Sequence, residues 1–258
     1  MRSAVVQFAS TTDLEANLDV VSRHVREAGR RGADLIVVPE GAMHDFGPPD
    51  LPLGPVAQRL DGIFVSAMAD LARETGATVV AGMFEAAADP ARPFNTLVAL
   101  GPDGTLQATY RKAHLYNSFG YRESDRLSAG DGEAVTFKLA DLTLGLMTCY
   151  DLRFPEFGRA LVDAGADVIV IPSAWVRGPL KEDHWVTLLR ARAIENTCYV
   201  VGAGQTGSTY VGCSTVVDPM GVRLCGLGDE VGVALADVTA SRLADVRRRN
   251  PSLANRRR

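Results

Sequence analysis

Three side chains that can do chemistry follow predicted β-strands in this sequence. Glu40 ends the segment LIVVPE, Lys112 ends LQATYRK, and Cys149 ends LTLGLMTC. Functional residues of α/β proteins collect at the carboxyl ends of strands. A deprotonated thiol is a nucleophile, a buried carboxylate can take its proton, and an ammonium group beside a thiol favours the thiolate. Because the three residues lie far apart in the chain, only the fold can bring them together.

Cys149 begins the segment CYDLRFPE, which predicts a sharp turn and then a helix with Pro155 near its first position. The positive end of that helix and a nearby ammonium group would lower the pKa of the thiol. A cysteine that closes an apolar strand can equally be a small buried hydrophobe, and this alternative stays open. Cys198, Cys213 and Cys225 are interpreted as structural residues within strands.

Glu40 and Lys112 are open to two interpretations each. A carboxylate directly after a buried strand would be desolvated, and desolvation makes a carboxylate a stronger base. The alternative for Glu40 is a solvated loop residue, and a lysine after a strand is usually solvated as well. Glu123, in the segment YRESD, is a candidate for a second acid.

Two other patterns indicate rival chemistries. The segment GAGQTG at residues 202–207 matches the dinucleotide fingerprint G-x-G-x-x-G, but the residues after it favour a strand, not the required helix. His114 is placed to serve as the base of a cysteine-histidine hydrolase. His184 opens a predicted helix near the rim of the site. The four histidines have no metal-ligand spacing, so we expect no metal site.

An internal repeat organises the elements that must position these residues. The segment GADLIVVP at 32–39 recurs as GADVIVIP at 165–172 and differs at two of eight positions. Each copy follows a predicted helix, at about 13–30 and about 154–164, and is a β-branched run that ends at proline. A second helix, at about 61–75 and about 182–196, a strand and a hairpin follow in each half.

These two related halves predict a single α/β domain over residues 1–258. Strand, helix, strand, helix, strand and hairpin, taken twice, favour two β-layers packed face to face with helices outside. The predicted fold is therefore a four-layer α-β-β-α sandwich of two pseudo-repeated halves. A doubly wound single sheet is the alternative.

Composition excludes several classes of protein. With 258 residues, 47% hydrophobic and 22% charged, the chain predicts a soluble globular protein and not a disordered one. Its formal net charge of −4 argues against a nucleic-acid surface, and the basic residues from about 247 onward are interpreted as a solvated C-terminal tail. No apolar run is long enough for a membrane span or a signal peptide, so we expect no membrane partner and a cytoplasmic protein with free thiols.

The segments VVPE, TYRKAHLY, CYDLRFPE and HWVTLLRARAIENTCYVVGA together resemble the nitrilase superfamily of carbon-nitrogen hydrolases. The resemblance covers nearly the whole chain and implies a Glu-Lys-Cys triad of Glu40, Lys112 and Cys149. It also implies an α-β-β-α sandwich, a homodimer built partly on residues 153–161, and a role for Glu123 in positioning the substrate and the lysine.

The resemblance further implies a mechanism without a metal or organic cofactor. Glu40 accepts the thiol proton, Cys149 attacks the amide carbon, and Lys112 with the backbone N–H of Tyr150 holds the oxyanion. Ammonia leaves, and water activated by Glu40 hydrolyses the thioester.

Within the superfamily, the sequence looks most like the small amidases, which include deaminated-glutathione amidase and the omega-amidases. The segment GAMHDFGPPD after Glu40 and the short spacing between Lys112 and Glu123 depart from that branch, and both would border the pocket. The expected activity is hydrolysis of a small carboxamide. The alternatives are a nitrile hydrolase with the same triad and a non-catalytic binding protein on the same scaffold.

Overall fold

Two six-stranded β-sheets pack face to face in the computed structural model, which describes residues 1–257. The first half of the chain contributes β1 (Arg2–Gln7), β2 (Leu35–Val37), β3 (Thr78–Glu85), β4 (Phe94–Leu100) and β5 (Leu106–Arg111). A short ribbon follows, formed by β6 (Asn117–Ser118) and β7 (Tyr121–Arg122). The second half contributes β8 (Thr136–Leu139), β9 (Leu142–Leu146), β10 (Val168–Ser173), β11 (Tyr199–Gly204), β12 (Thr215–Val217), β13 (Arg223–Gly226) and β14 (Gly232–Asp237).

Five α-helices complete the outer layers: α1 (Leu14–Arg30), α2 (Ile63–Thr75), α3 (Pro155–Asp163), α4 (Lys181–Asn196) and α5 (Ala240–Arg249). The side chain of Asp13 caps α1 by accepting from the backbone N–H groups of Glu15 and Ala16. Gly76 ends α2 in the left-handed conformation. The predicted sandwich is confirmed, and the doubly wound single sheet is wrong because the parallel strands of the two halves lie in separate sheets.

The internal repeat appears as matching strand orders. The first sheet has the order β14-β1-β2-β3-β4-β5, and the second has β13-β12-β11-β10-β9-β8. Three parallel strands are followed by an antiparallel hairpin in each half, so β1 to β5 correspond to β9 to β13. The two copies of the repeated segment form β2 and β10. Their carboxyl ends therefore meet at the same end of the sandwich.

Side chains of each buried strand alternate between two apolar clusters. In the first sheet, Val5, Leu35 and Val80 face the second sheet, while Val6 and Ile36 face α1 and α2. Because both faces are covered, these strands read in sequence as continuous apolar runs. The reactive residues predicted above follow such runs directly.

The basic residues near the C-terminus are more ordered than a solvated tail. Residues 247–249 form the last turn of α5, where cations suit the negative end of the helix dipole. Arg247 Nη1 lies 2.7 Å from Asp167 Oδ1, and Arg256 Nη2 lies 2.6 Å from Asp163 Oδ1. Across residues 1–257, the helices are all too short or too polar to cross a membrane.

Candidate active site

Glu40 lies at the carboxyl end of β2 and is 1% exposed. Its Oε1 accepts from Lys112 Nζ at 3.0 Å and from Asn95 Nδ2 at 2.7 Å, and its Oε2 accepts from the backbone N–H of Ala174 at 2.6 Å. Gly82 of β3 allows this approach, because a Cβ there would lie 2.8 Å from the Cα of Glu40. Glu40 is therefore a buried carboxylate held on both oxygens, which excludes the solvated-loop interpretation.

Lys112 directly follows β5 and is 2% exposed. Its Nζ donates to Glu40 Oε1 at 3.0 Å and to both carboxylate oxygens of Glu123, at 3.0 and 2.9 Å. Burial opposes the charge on Lys112, but Glu123 and Glu40 outweigh it, so its pKa lies well above the usual value. The lysine is thus a fixed ammonium group and not a solvated surface residue.

Glu123 begins a short 3₁₀ turn after β7 and is also buried. Besides Lys112, its Oε2 accepts from the backbone N–H of Tyr116 at 2.5 Å. Burial raises the pKa of Glu123, although Lys112 opposes the shift. The second acid suggested by the sequence therefore joins the other two residues and ties the lysine to the segment around Tyr116.

Cys149 opens a 3₁₀ turn that runs from Cys149 to Arg153, and α3 begins only at Pro155. The backbone of Cys149 has a φ of +45°, in the left-handed region that side chains other than glycine rarely adopt. The sharp turn predicted from CYDLRFPE is therefore present. The predicted helix with Pro155 at its first position is present as well. Because the 3₁₀ turn separates that helix from Cys149, the thiol lies at the start of the turn and not at the start of the α-helix.

The pKa of the Cys149 thiol is raised, contrary to the expectation from sequence. Burial raises it most, and the charge of Glu40 adds to the effect. Lys112 and the nearby hydroxyl of Ser173 lower it by less. The resting group is a thiol, which needs a base beside it before it can attack.

Asp151 ties the nucleophile turn to the segment that carries the lysine. Its carboxylate accepts from the backbone N–H of Thr148 at 2.8 Å, from Tyr110 Oη at 2.7 Å and from the backbone N–H of His114 at 3.0 Å. Tyr150 lies next to Asp151 and packs edge-on against Tyr116, with 5.0 Å between ring centroids. The first backbone N–H groups of a helical turn have no hydrogen-bond acceptor within that turn. The backbone N–H of Tyr150 is one of these groups, so it can donate to an oxyanion.

Cys149, Lys112, Glu40 and Glu123 line one pocket of about 500 Å³. Three further cations among the described residues line the same pocket, and two of them, Arg153 and Lys181, contact its aromatic side chains. Arg153 places its guanidinium 4.8 Å from the ring centroid of Trp175, and Lys181 Nζ donates to Tyr116 Oη at 2.8 Å. The other lining residues are Phe46, Gly47, Pro49, Tyr116, Phe119, Tyr121, Tyr150, Ala174, Trp175, Val176, Arg177, Gly178, Pro179, Thr209 and Tyr210.

The rival chemistries find no support in the geometry. His114 Nδ1 lies 2.7 Å from Asp151 Oδ1, and its ring stacks on Phe154, so it is outside the set of described pocket-lining residues. The segment 202–207 contains the end of β11 and then leads into a turn and not a helix. Gln205 Nε2 donates to the backbone oxygen of Glu40 at 2.8 Å. Among residues 1–257, His, Cys, Asp and Glu form no cluster that could hold a metal ion.

The remaining sequence interpretations need small corrections. Cys198 and Cys213 lie just before β11 and β12, respectively, and only Cys225 lies within a strand. All four cysteines carry free thiols. His184 lies in the first turn of α4, with its Nδ1 3.2 Å from Arg153 Nη2.

Several functional contacts lie outside the sequence prediction. Asn95, Ala174 and Lys181 reach the site but belong to no motif that the sequence analysis used, and Arg153 lies within CYDLRFPE but was given no role in the site. A polar residue inside the buried strand FNTLVAL was a signal for Asn95, because a buried amide needs a partner. The others lie after strand ends, where sequence alone does not tell which side chains turn inward.

Comparison with known proteins gives the family of this chain. The carbon-nitrogen hydrolase family model matches residues 2–248. The deaminated glutathione amidase of Escherichia coli O157:H7 is 39% identical over 258 residues, which are 100% of this chain and 97% of that protein. This chain belongs to the carbon-nitrogen hydrolase family. The resemblance to the nitrilase superfamily is confirmed, and the protein is a hydrolase of the amidase type.

Two further carbon-nitrogen hydrolases are similar over almost their full length. Omega-amidase NIT2 of Mus musculus is 32% identical over an alignment of 268 residues, covering 99% of this chain and 95% of that protein. A CN-hydrolase superfamily protein from Xanthomonas campestris, solved with an arsenic adduct in its active site, superposes with a TM-score of 0.90. It is 28% identical and the match covers 100% of this chain and 97% of that one.

Proposed function

We propose that this carbon-nitrogen hydrolase cleaves a small carboxamide with Cys149 as nucleophile, Glu40 as base and Lys112 as the cation beside the oxyanion. The observation that carries the proposal is the convergence of these three side chains, from two sheets, at one pocket. The raised pKa of the Cys149 thiol gives Glu40 its task, because a neutral thiol has to lose its proton as it attacks.

The proposed reaction has two halves. In the first, the thiol proton passes to Glu40, an S–C bond forms to the carbonyl carbon, and Lys112 with Tyr150 N–H stabilises the oxyanion. The proton on Glu40 then protonates the leaving nitrogen, so the C–N bond breaks and ammonia leaves. In the second, water gives a proton to Glu40 and attacks the thioester, and Cys149 departs as a thiolate that recovers the proton.

The charge of the pocket supports a substrate with a negatively charged group beside its amide. Arg153 and Lys181 face the pocket, and within residues 1–257 neither has a carboxylate within 4.0 Å. Burial and the neighbouring Arg153 lower the pKa of Lys181, and Arg153 Nε is buried without a hydrogen-bond partner in the described chain. An anionic ligand would pair these cations. The names of the amidase relatives agree with a substrate of this class.

A panel of amides and nitriles tests the reaction and the substrate class together. Amides that carry a carboxylate, such as succinamate and α-ketoglutaramate, should show at least about tenfold higher kcat/KM than neutral amides of equal length. Lys181→Met should reduce this preference, mainly through KM, while Lys138→Met on the exposed face of β8 should not change it. Ammonia release only from nitriles would indicate a nitrilase, and none from either would indicate a binding protein.

Trapping the intermediate tests the roles of the residues. Glu40→Gln preserves the shape of the side chain but cannot deprotonate water. If Cys149 is still acylated slowly, the thioester should accumulate because its hydrolysis is blocked. Intact-protein mass spectrometry should then show a gain of the substrate mass minus ammonia, mapped to the peptide with Cys149. Cys149→Ala should show neither adduct nor turnover. An adduct on Cys198, Cys213 or Cys225 would contradict the mechanism.

The second partner in this proposal is another copy of the chain. Exposed apolar side chains group on one face of α4 and the hairpin between β12 and β13: Ile194 is 45% exposed, Met220 51% and Val222 52%. They are neighbours, because a Cβ at Gly221 would lie 2.6 Å from Ile194 Cδ1. Arg159 of α3 donates to the backbone oxygen of Glu195, which makes α3 part of the same face. Grouped apolar surface of this kind favours a homodimer.

The cytoplasmic location stays part of the proposal. The free thiols of all four cysteines support it, because disulfides are rare in reducing compartments.

A further inference from the structure

Asn95 is not part of the proposed triad, but its side chain holds the proposed base, Glu40, by a hydrogen bond. This residue lies on β4, is 1% exposed, and donates from Nδ2 to Glu40 Oε1 at 2.7 Å. The same Nδ2 lies 3.5 Å from Glu123 Oε1. Turning the amide over would bring its oxygen against both carboxylates, so the two acids fix its orientation.

The other end of the same amide is left without a partner. Asn95 Oδ1 is buried and has no hydrogen-bond partner among the described residues. Gln205 gives a contrast, since its Nε2 donates to the backbone oxygen of Glu40 and its Oε1 accepts from both the backbone N–H and the hydroxyl of Ser10. A buried amide with only a structural role usually has hydrogen-bond partners for both its oxygen and its nitrogen, as Gln205 does. Asn95 is kept for its donor.

The donors around Glu40 divide its two oxygens into different roles. A carboxylate oxygen has two lone pairs in the plane of the group. On Oε1 they face Lys112 Nζ, at 3.0 Å, and Asn95 Nδ2. Within residues 1–257, Oε2 accepts only from Ala174 N–H, at 2.6 Å. One lone pair of Oε2 is therefore free to take a proton, while Oε1 has none to offer.

We propose that Asn95 is a positioning residue that, together with Lys112, fills Glu40 Oε1 and so directs the proton of Cys149, and later that of water, to Glu40 Oε2. The step moves one proton from Sγ to Oε2 as the S–C bond forms, and the proton then leaves on the departing nitrogen. This inference rests on the proposed role of Glu40. It adds that Oε2 is the oxygen of Glu40 that accepts the proton, and that Asn95 determines this choice.

The test uses two variants and a matched control on the same strand. Asn95→Leu removes the donor at similar size, and Asn95→Ser keeps a shorter polar group should the leucine variant not fold. Thr96→Val is the control, because Thr96 is equally buried and donates to a carboxylate outside the site, Glu85, at 2.8 Å. Substrate turnover and alkylation of Cys149 by iodoacetamide are measured from pH 5 to pH 10.

The decisive readout is the acid limb of both pH profiles. The groups that face Glu40 are Lys112, Glu123 and Cys149, and only the amide changes. Losing a donor to the ionised carboxylate makes Glu40 bind a proton more readily, so the acid limb should move up by about one pH unit. We also expect kcat/KM to fall about tenfold or more. Thr96→Val should leave the acid limb at its wild-type position.

An acid limb that stays in place in both Asn95 variants would overturn the inference, whatever activity they lose. Alkylation needs no substrate, so this outcome can be told apart from a failure of the proposed function. If no amide or nitrile is hydrolysed but the alkylation limb moves with Asn95, the proposed function fails and the role of Asn95 stands.

Discussion

Lys112 keeps its charge in a buried site because Glu40 and Glu123 surround it. Without Lys112, these two carboxylates would face each other in a buried site with no cation between them. The thiol beside them is neutral because burial outweighs the lysine. The protonation states of Lys112 and Cys149 therefore depend on burial and on neighbouring charges, and not only on the usual pKa of each side chain.

Lys112→Met should lower kcat by roughly 10²-fold or more, because it removes the charge that we propose stabilises the oxyanion. Breaking a buried ion pair should also lower the free energy of unfolding, by about 3–5 kcal/mol. Steady-state kinetics and chemical denaturation measure both effects. Arg111→Met is the control, because Arg111 pairs with Glu85 from a half-exposed position on the same strand and should keep near-normal kcat. Normal turnover in Lys112→Met would remove the lysine from the mechanism.

At the scale of elements, Asp151 connects the nucleophile turn to the end of β5. Four groups donate to its carboxylate or face it, from Thr148, Tyr110 and the backbone and ring of His114. The turn and the lysine segment belong to different halves of the chain. Asp151 therefore links the turn that carries Cys149 to the segment that carries Lys112.

Asp151→Asn should reduce kcat more than it raises KM, since an amide N–H₂ would meet donors and shift the nucleophile turn. A buried unsatisfied group of this kind costs about 1–3 kcal/mol, so the melting temperature should fall as well. His114→Ala, measured in parallel, removes one partner and leaves the carboxylate in place. It should remain clearly active, and loss of all activity in it would revive the cysteine-histidine mechanism.

The strand ends and the internal repeat could be predicted from the sequence, because both are marked by local runs of apolar residues. Glu40, Lys112 and Cys149 could be found in this way, each directly after such a run. The partners that define their chemistry could not, because Asn95, Ser173 and Gln205 reach Glu40 or Cys149 from distant strands. The raised pKa of Cys149 was missed for a related reason: it depends on burial by both sheets, and the turn alone suggested the opposite sign.

At the scale of the whole molecule, the two sheets share the site unequally. Glu40 and Lys112 come from the first sheet and Cys149 from the second. The second-half counterpart of Glu40 is Ser173, whose hydroxyl lies near the thiol and lowers its pKa slightly. The repeat thus provides two similar strand ends, of which one carries the carboxylate and the other a hydroxyl. The outer faces of α3 and α4 lie away from this site and are the surface that we propose for a second copy of the chain.

Ile194→Glu should convert the dimer to a monomer, because it places a charge in the apolar face proposed for the interface. Light scattering at micromolar concentration should give a mass near 27.5 kDa for this variant and about twice that for the wild type. Ile63→Glu changes an isoleucine of α2 that is 68% exposed in the opposite outer layer, and should leave the mass unchanged. A wild-type mass near 27.5 kDa would contradict the dimer under those conditions.

The pairing of β14 with β1 has a consequence for biosynthesis. β1 is made before the other strands of its sheet, yet its antiparallel neighbour β14, with Arg2 opposite Asp237, is made after all of them. While the ribosome extends the chain, β1 presents an open, apolar edge of the kind that invites pairing with other chains. The nascent first half should therefore depend on chaperones until about residue 237 has emerged, and a chain that stops before β14 should aggregate although it contains Glu40, Lys112 and Cys149.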